Sequence, residues 1–165
     1  MVQKGPINEF NVVKCGAKGH GLICTKFIKR GTFVIEYIGK RIAENEAKIQ
    51  LQVVKDQPDC YLYVLVEHFG DNEQSFYIDA RDTGNVARFI NHSCDPNLCM
   101  VPVRVNGQDP HFALFAFKDI PKGTELTFSY GLTNKEDSTT ESLTKCVCGS
   151  NICTGFLPFT ALCVV

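Results

Sequence analysis

The sequence predicts a mainly β domain with little helix, followed by a short cysteine-bearing tail. Three observations carry that expectation. The apolar stretches are short and rich in β-branched and aromatic residues, Gly and Pro fall between them, and only one long segment has a helical pattern. The strand-like runs are residues 33–38 (FVIEYI), 61–66 (YLYVLV), 76–78, 98–105 and 112–117 (FALFAF). Gly31, Gly70, Asn106-Gly107 and Pro121-Lys122-Gly123 lie between or beside them as turn signals, and Asn106-Gly107 between two such runs predicts a hairpin. Residues 43–55 place Ala47, Ile49, Leu51, Val53 and Val54 among Glu, Gln and Lys, which predicts a short helix. Residues 84–90 offer one further helical turn. Residues 133–144 (TNKEDSTTESLT) are polar and read as a flexible linker between a globular body and the tail.

The 165 residues suit one domain and suffice to bury about two-thirds of the unfolded surface. Apolar residues make up 44%, which excludes a disordered chain. No apolar run approaches the ~20 residues of a membrane span. Residues 1–10 lack the apolar centre of a signal peptide, so the expectation is a soluble, intracellular domain with no membrane partner. The net charge of −1 excludes a polycation built to hold nucleic acid, and no sequence-specific nucleic-acid binding is expected. Charge is uneven along the chain. Residues 1–50 carry nine basic and four acidic groups, and residues 51–100 carry three and eight. An acidic middle attracts a basic partner, or is simply a solvated face.

Nine cysteines is an odd number, and the chain is longer than most disulfide scaffolds, so a reducing compartment with some cysteines on metal fits better. Cys146, Cys148 and Cys153 form Cys-x-Cys-x4-Cys, with Gly149 placed for a sharp turn. Zinc takes four such ligands in a tetrahedron, so one is missing. Cys94, Cys99, Cys60, Cys15, Cys24 and Cys163 are candidates. Cys94 is favoured because it stands in a polar turn and precedes Asp-Pro. A disulfide across Cys146 and Cys148 would be strained.

The turn around Cys94 is the densest polar segment, Arg88-Phe-Ile-Asn-His-Ser-Cys-Asp-Pro-Asn97. On a strand Asn91 and His92 would face opposite ways; in a turn both can meet one ligand. Gly19 and Gly21 flank His20 and permit close backbone approach, or are only a turn. Tyr130 ends a strand-like run and either points into a cleft or caps the core. Asp79 and Arg81 read as a surface ion pair.

Together these residues resemble the SET-domain protein lysine methyltransferases. The matching segments are 18–22 (KGHGL), 31–39 (GTFVIEYIG), 61–63 (YLY), 77–81 (YIDAR), 84–97 (GNVARFINHSCDPN), 113–120 (ALFAFKDI), 123–131 (GTELTFSYG) and 146–157, in the family's order. Segment 84–97 is the most specific. The tail resembles the family's post-SET zinc motif. The closest likeness is to the branch that methylates histone H3 lysine 9 and to the related branch fused to a transposase. The resemblance implies a SET domain over 10–131, a linker over 132–144 and a post-SET zinc motif over 145–161. It implies a β-clip of several small sheets with few short helices, in which the Asn91-His92 segment and the Phe128–Tyr130 segment form a pseudoknot.

It also implies S-adenosylmethionine as methyl donor and one structural zinc ion held by Cys94, Cys146, Cys148 and Cys153. Lys18, Gly19 and His20 would contact the donor largely through backbone. Asn91 and His92 would hold its adenine, Arg88 would lie beside it, and Val147 would pack against it. Tyr130 would be the catalytic tyrosine, Tyr61 would line the lysine channel and touch the donor, and Phe128 would set the product. Phe at that position lacks a hydroxyl that would crowd the amine, so di- or trimethylation is expected. The expected partner is a histone tail or nucleosome, and the expected location is nuclear chromatin. Histone H3 lysine 36, a non-histone lysine, or a catalytically weak chromatin-binding module remain open alternatives. The chain departs from the family at His20, where Trp is usual, and at Lys40, where Glu is usual. A pre-SET cysteine cluster does not occur in these residues; Cys15 and Cys24 are the only cysteines before residue 60.

Overall fold

The computed structural model describes residues 9–54, 61–70, 72–107, 109–131, 144–158 and 162–164. In chain order the strands are β1 (Phe10–Lys14), β2 (His20–Cys24), β3 (Phe33–Glu36), β4 (Gly39–Ile42), β5 (Leu62–Phe69), β6 (Asn72–Gly84), β7 (Asn91–His92), β8 (Leu98–Val103), β9 (His111–Ala116), β10 (Thr127–Phe128) and β11 (Leu162–Val164). The α-helix is α1 (Glu44–Val54), and Gly16–Lys18 and Val86–Phe89 are single 3-10 turns. The fold is mainly β in several small sheets, as expected from the short apolar runs. The expected linker 132–144 lies outside the described residues except for Thr144, as do Cys60 and residues 159–161.

The chain divides into two compact units. The first contains Met1–Ile38, Asn85–Ser129 and Val147–Cys153. Here β1 and β2 form an antiparallel hairpin in register from Phe10↔Cys24 to Lys14↔His20. A three-stranded sheet in the order β3-β9-β8 contributes the fully buried Phe33, Phe112, Leu114 and Leu98. The β8–β9 hairpin runs from Leu98↔Ala116 to Val103↔His111. Its loop contains Asn106 at φ 53, the left-handed geometry that made Asn-Gly a hairpin signal. The third sheet is the two-residue parallel pair of β7 and β10, with Thr127 opposite Asn91 and Phe128 opposite His92. The expected pairing of Asn91-His92 with the Phe128–Tyr130 segment is thus met at Phe128, one residue earlier in the chain than expected. The 3-10 turn at Val86–Phe89 fits the expected helical turn. Asn85 caps it by accepting from the Ala87 N–H at 3.3 Å, while its own amide donates to the Glu36 carbonyl at 2.8 Å.

The second unit contains Gly39–Gly84, Tyr130–Cys146 and Thr154–Val165. Its sheet has the order β11-β5-β6-β4. Strands β5 and β6 form a long hairpin from Leu62↔Asp79 to Phe69↔Asn72. Leu62, Val64 and Val66 point one way, as period-2 alternation requires, and pack with Ile42 from β4 and Ala47 from α1 in one apolar cluster. Helix α1 matches the expected helix to within a residue at each end. The exposed Ile49 shows that only one stripe of it is buried. Strand β6 is longer than its apolar centre predicted, because both of its edges are hydrogen-bonded, to β5 and to β4.

Candidate functional site

The first unit gathers the residues of the polar turn. Strand β7 turns Asn91 and His92 to opposite sides, as adjacent strand residues must be. The Asn91 amide donates to the His20 carbonyl at 2.9 Å and to Glu125 Oε1 at 2.9 Å. The other Glu125 oxygen pairs with the Lys18 ammonium. Burial alone would raise the Glu125 carboxyl, but hydrogen bonds from Lys18, Asn91 and Cys15, with the Lys18 charge, bring it below the usual range. The Cys15 thiol is raised by burial and then by the Glu125 carboxylate, so it stays protonated and donates to that carboxylate. Gly21 is required at this junction: a Cβ there would meet the Cys15 sulfur, Glu125 Oε1 at 2.9 Å and Asn91 Nδ2 at 3.1 Å. His20, exposed at the head of β2, packs its ring 5.8 Å from that of Phe89, and the Arg88 guanidinium lies 5.0 Å from the same ring.

On the other side of β7, His92 is buried, and burial lowers its imidazole to about 4. It is therefore neutral at neutral pH. Its Nε2 lies 3.4 Å from the Cys94 sulfur, where an N–H donated to sulfur would support a thiolate. The ligand atoms of Cys94, Cys146, Cys148 and Cys153 all lie within 4.8 Å of one another. Tetrahedral zinc with sulfur at ~2.3 Å needs sulfurs about 3.8 Å apart, so the four residues fit a structural zinc. Gly149 has φ 74, the sharp turn its place in the run implied. Three of the other candidates for the fourth ligand bond elsewhere: Cys24 to the Pro121 carbonyl at 3.1 Å, Cys99 to the Phe115 carbonyl at 3.6 Å, and Cys15 to Glu125.

Sequence comparison then decides the family. A SET domain profile matches residues 19–131. The chain belongs to the SET-domain family. It is similar to the histone-lysine N-methyltransferase SETMAR of Homo sapiens, 38% identical over 169 residues that cover 96% of this chain and 25% of the relative. The structure of that protein's methyltransferase domain matches with a TM-score of 0.82 at 33% identity, covering 97% of this chain and 61% of the other. The H3 lysine-9 specific histone-lysine N-methyltransferase dim-5 of Neurospora crassa is 37% identical over 177 residues, covering 95% of this chain and 53% of the relative. Arabidopsis thaliana SUVH6, solved in complex with SAM, matches with a TM-score of 0.80 at 28% identity over 94% of this chain and 34% of that one. The SET chain thus spans only part of each relative it matches.

Of the SET residues singled out from sequence, Lys18, Gly19, His20, Arg88, Asn91, His92, Phe128 and Val147 fall in the first unit, Phe128 buried and Val147 exposed. Tyr61 and Tyr130 belong to the second unit and are half-buried. The Tyr61 carbonyl accepts from the Ala80 N–H at 3.0 Å, which fixes its backbone at the start of β5. The departure at Lys40 sits on β4 as an exposed pair with Glu46 at 3.5 Å, a contact worth under about 1 kcal/mol. Asp79 and Arg81 differ from a surface pair. The Asp79 side chain is only 9% exposed and receives Arg81 Nε at 3.0 Å and Nη2 at 2.8 Å, which holds its carboxyl below the usual range.

Sequence reasoning missed Glu125 and Asn97. Buried Asn97 accepts from the Thr127 N–H at 2.9 Å and donates to the Glu125 carbonyl at 2.7 Å, so one side chain clamps β10. Both stand inside segments that the motif reading singled out, but with no role assigned to them, and only their partners, far away in sequence, reveal one.

Proposed function

We propose that this chain is an S-adenosylmethionine-dependent protein-lysine N-methyltransferase of the nucleus, acting on a histone tail in chromatin. H3 lysine 9 is the target and di- or trimethyl-lysine the product. One observation carries the reading: a single stretch from Asn91 to Cys94 serves both the polar network that organises residues 18–20 and the four-cysteine cluster. Relatives named as histone-lysine methyltransferases and a structural neighbour in complex with SAM support it, and the dim-5 likeness favours H3 lysine 9.

The reaction is an in-line displacement: the neutral lysine amine attacks the methyl carbon as the carbon–sulfur bond of the sulfonium breaks. Positive charge leaves the donor and appears on the amine, so alignment and exclusion of water matter more than acid catalysis. Tyr130 orients the amine through its hydroxyl, Tyr61 lines the channel and touches the donor, and backbone carbonyls add weak CH···O contacts to the methyl. Lys18, Gly19, His20, Arg88, Asn91 and His92 hold the donor. The amide hydrogens of Asn91 already serve His20 and Glu125, so its Oδ1 and its backbone are the parts that face adenine. Zinc on Cys94, Cys146, Cys148 and Cys153 supplies a structural anchor for the tail, and Val147 packs against the donor.

The test is incubation with the donor and recombinant histone octamers or nucleosomes, including single Lys-to-Arg H3 tails, read by intact mass. Di- or trimethylation lost only in the lysine 9 variant supports the proposal. Donor binding without transfer to any histone would replace it with a chromatin-binding module.

A further inference from the structure

We propose that Glu125 is a positioning residue for methyl-donor binding, its negative charge holding Lys18 and Asn91 in the arrangement the donor meets. This deepens the donor reading above and rests on it. Three donors from two separate stretches of chain converge on this one carboxylate: the Lys18 ammonium, the Asn91 amide and the Cys15 thiol. Asn91 passes the constraint on, since the same amide nitrogen also donates to the His20 carbonyl. Lys18, His20 and Asn91, all assigned to the donor, are therefore tied to a carboxylate not itself assigned to it.

Glu125 is itself fixed from behind. Its carbonyl accepts from Asn97, its backbone bridges to Ile23 of β2, and the next residue, Leu126, donates to the Leu22 carbonyl at 2.7 Å. A carboxylate on so constrained a backbone has one place to be. The Lys18 and Glu125 side chains are only 20% and 24% exposed, so this is a sheltered pair. Without the carboxylate, the Lys18 ammonium loses its counter-charge beside a segment that must accept a sulfonium cation. Lys18 and Asn91 then gain freedom that donor binding has to remove.

Glu125→Gln separates charge from shape, because the amide oxygen can still accept from Asn91 but cannot neutralise Lys18. Titration calorimetry on the full zinc-loaded chain with S-adenosylmethionine should show wild-type binding weakened roughly tenfold in Glu125→Gln, the loss of one charge-assisted contact. At saturating donor the turnover and the peptide KM should change by less than about twofold, which a general structural defect would not spare. Lys18→Met should weaken the donor similarly. The double variant should be no worse than either single one, since both remove one pair. Should Glu125→Gln fail to fold, two separate variants carry the same test: Lys18→Met, which removes the partner charge, should weaken the donor, and Glu125→Asp, which keeps the charge, should weaken it less. Unchanged donor affinity in a folded variant, or additive losses, would overturn the inference. A wild-type chain that binds no donor would overturn the donor reading itself, and this inference with it.

Discussion

Strands β5 and β6 pair over eight consecutive positions, whereas β7 and β10 pair over two. The long hairpin joins neighbours in sequence and buries an alternating apolar face made of Leu62, Val64 and Val66 with Ile42 and Ala47. The short pair is held mostly by side chains: Asn97 clamps the Thr127 N–H and the Glu125 carbonyl, and Asn91 and Lys18 close on the Glu125 carboxylate. One region draws its order from area removed from water and the other from specific polar partners. The region that carries the proposed donor contacts of Asn91 and Lys18 is the polar one, where a single lost partner leaves a buried group unsatisfied.

Five outcomes break or sharpen that contrast. The largest is expected at Cys94. Cys94→Ser, or a chelator, should lower zinc from about one per chain and abolish methyl transfer while β circular dichroism persists; full activity in demonstrably zinc-free protein would sink the link between tail and site. Leu65→Ala removes a fully buried side chain of the long hairpin and should cost about 3 kcal/mol in denaturant unfolding. Asn97→Ala strands the Thr127 N–H and the Glu125 carbonyl and should cost about 2–3 kcal/mol, nearly as much as the apolar truncation. A loss under about 0.5 kcal/mol would mean that the clamp is ornamental.

Asp79→Asn should cost about 1.5–2 kcal/mol at neutral pH. Because the folded Asp79 carboxyl is depressed by Arg81, its stabilisation is present above the ordinary Asp value of about 3.9 and is lost as pH falls through the lower folded value. The wild-type and variant unfolding curves should therefore converge in acid; a gap that stays constant would rule the pair out. The smallest overall effect is expected from Phe128→Tyr, which should leave the first methylation nearly unchanged and shift the product to monomethyl-lysine by mass spectrometry. An unchanged product would remove Phe128 from the specificity reading.

The same contrast explains what was legible. Strands β3, β5, β8 and β9 were visible because their residues are β-branched or aromatic and bury a face. The β8–β9 hairpin was visible because Asn106-Gly107 suits a left-handed turn. Strand β4 (GKRI) is polar and mostly exposed, and β1 presents an exposed face, so neither offered a hydrophobic signal. The ends of β6 are strand only because two partners supply hydrogen bonds. At the site, spacing pointed to Cys146, Cys148 and Cys153 and favoured Cys94 as the fourth, and the structure brings the four together; the donor roles of Asn91 and His92 were legible only through the family resemblance. Glu125 and Asn97 were invisible because their roles depend on partners 107 and 30 residues away, Lys18 and Thr127.

The β7–β10 pair also bears on how the chain reaches its fold. Asn91 and Glu125 are 34 residues apart, and most of the intervening chain is the β8–β9 hairpin. Closing that hairpin first folds the span back on itself and leaves a short effective loop between β7 and β10, which lowers the entropy of bringing them together. The donor-side network is therefore cheaper to close once the hairpin is in place, so a mutation that weakens the hairpin is expected to weaken the site although the hairpin holds none of the assigned site residues.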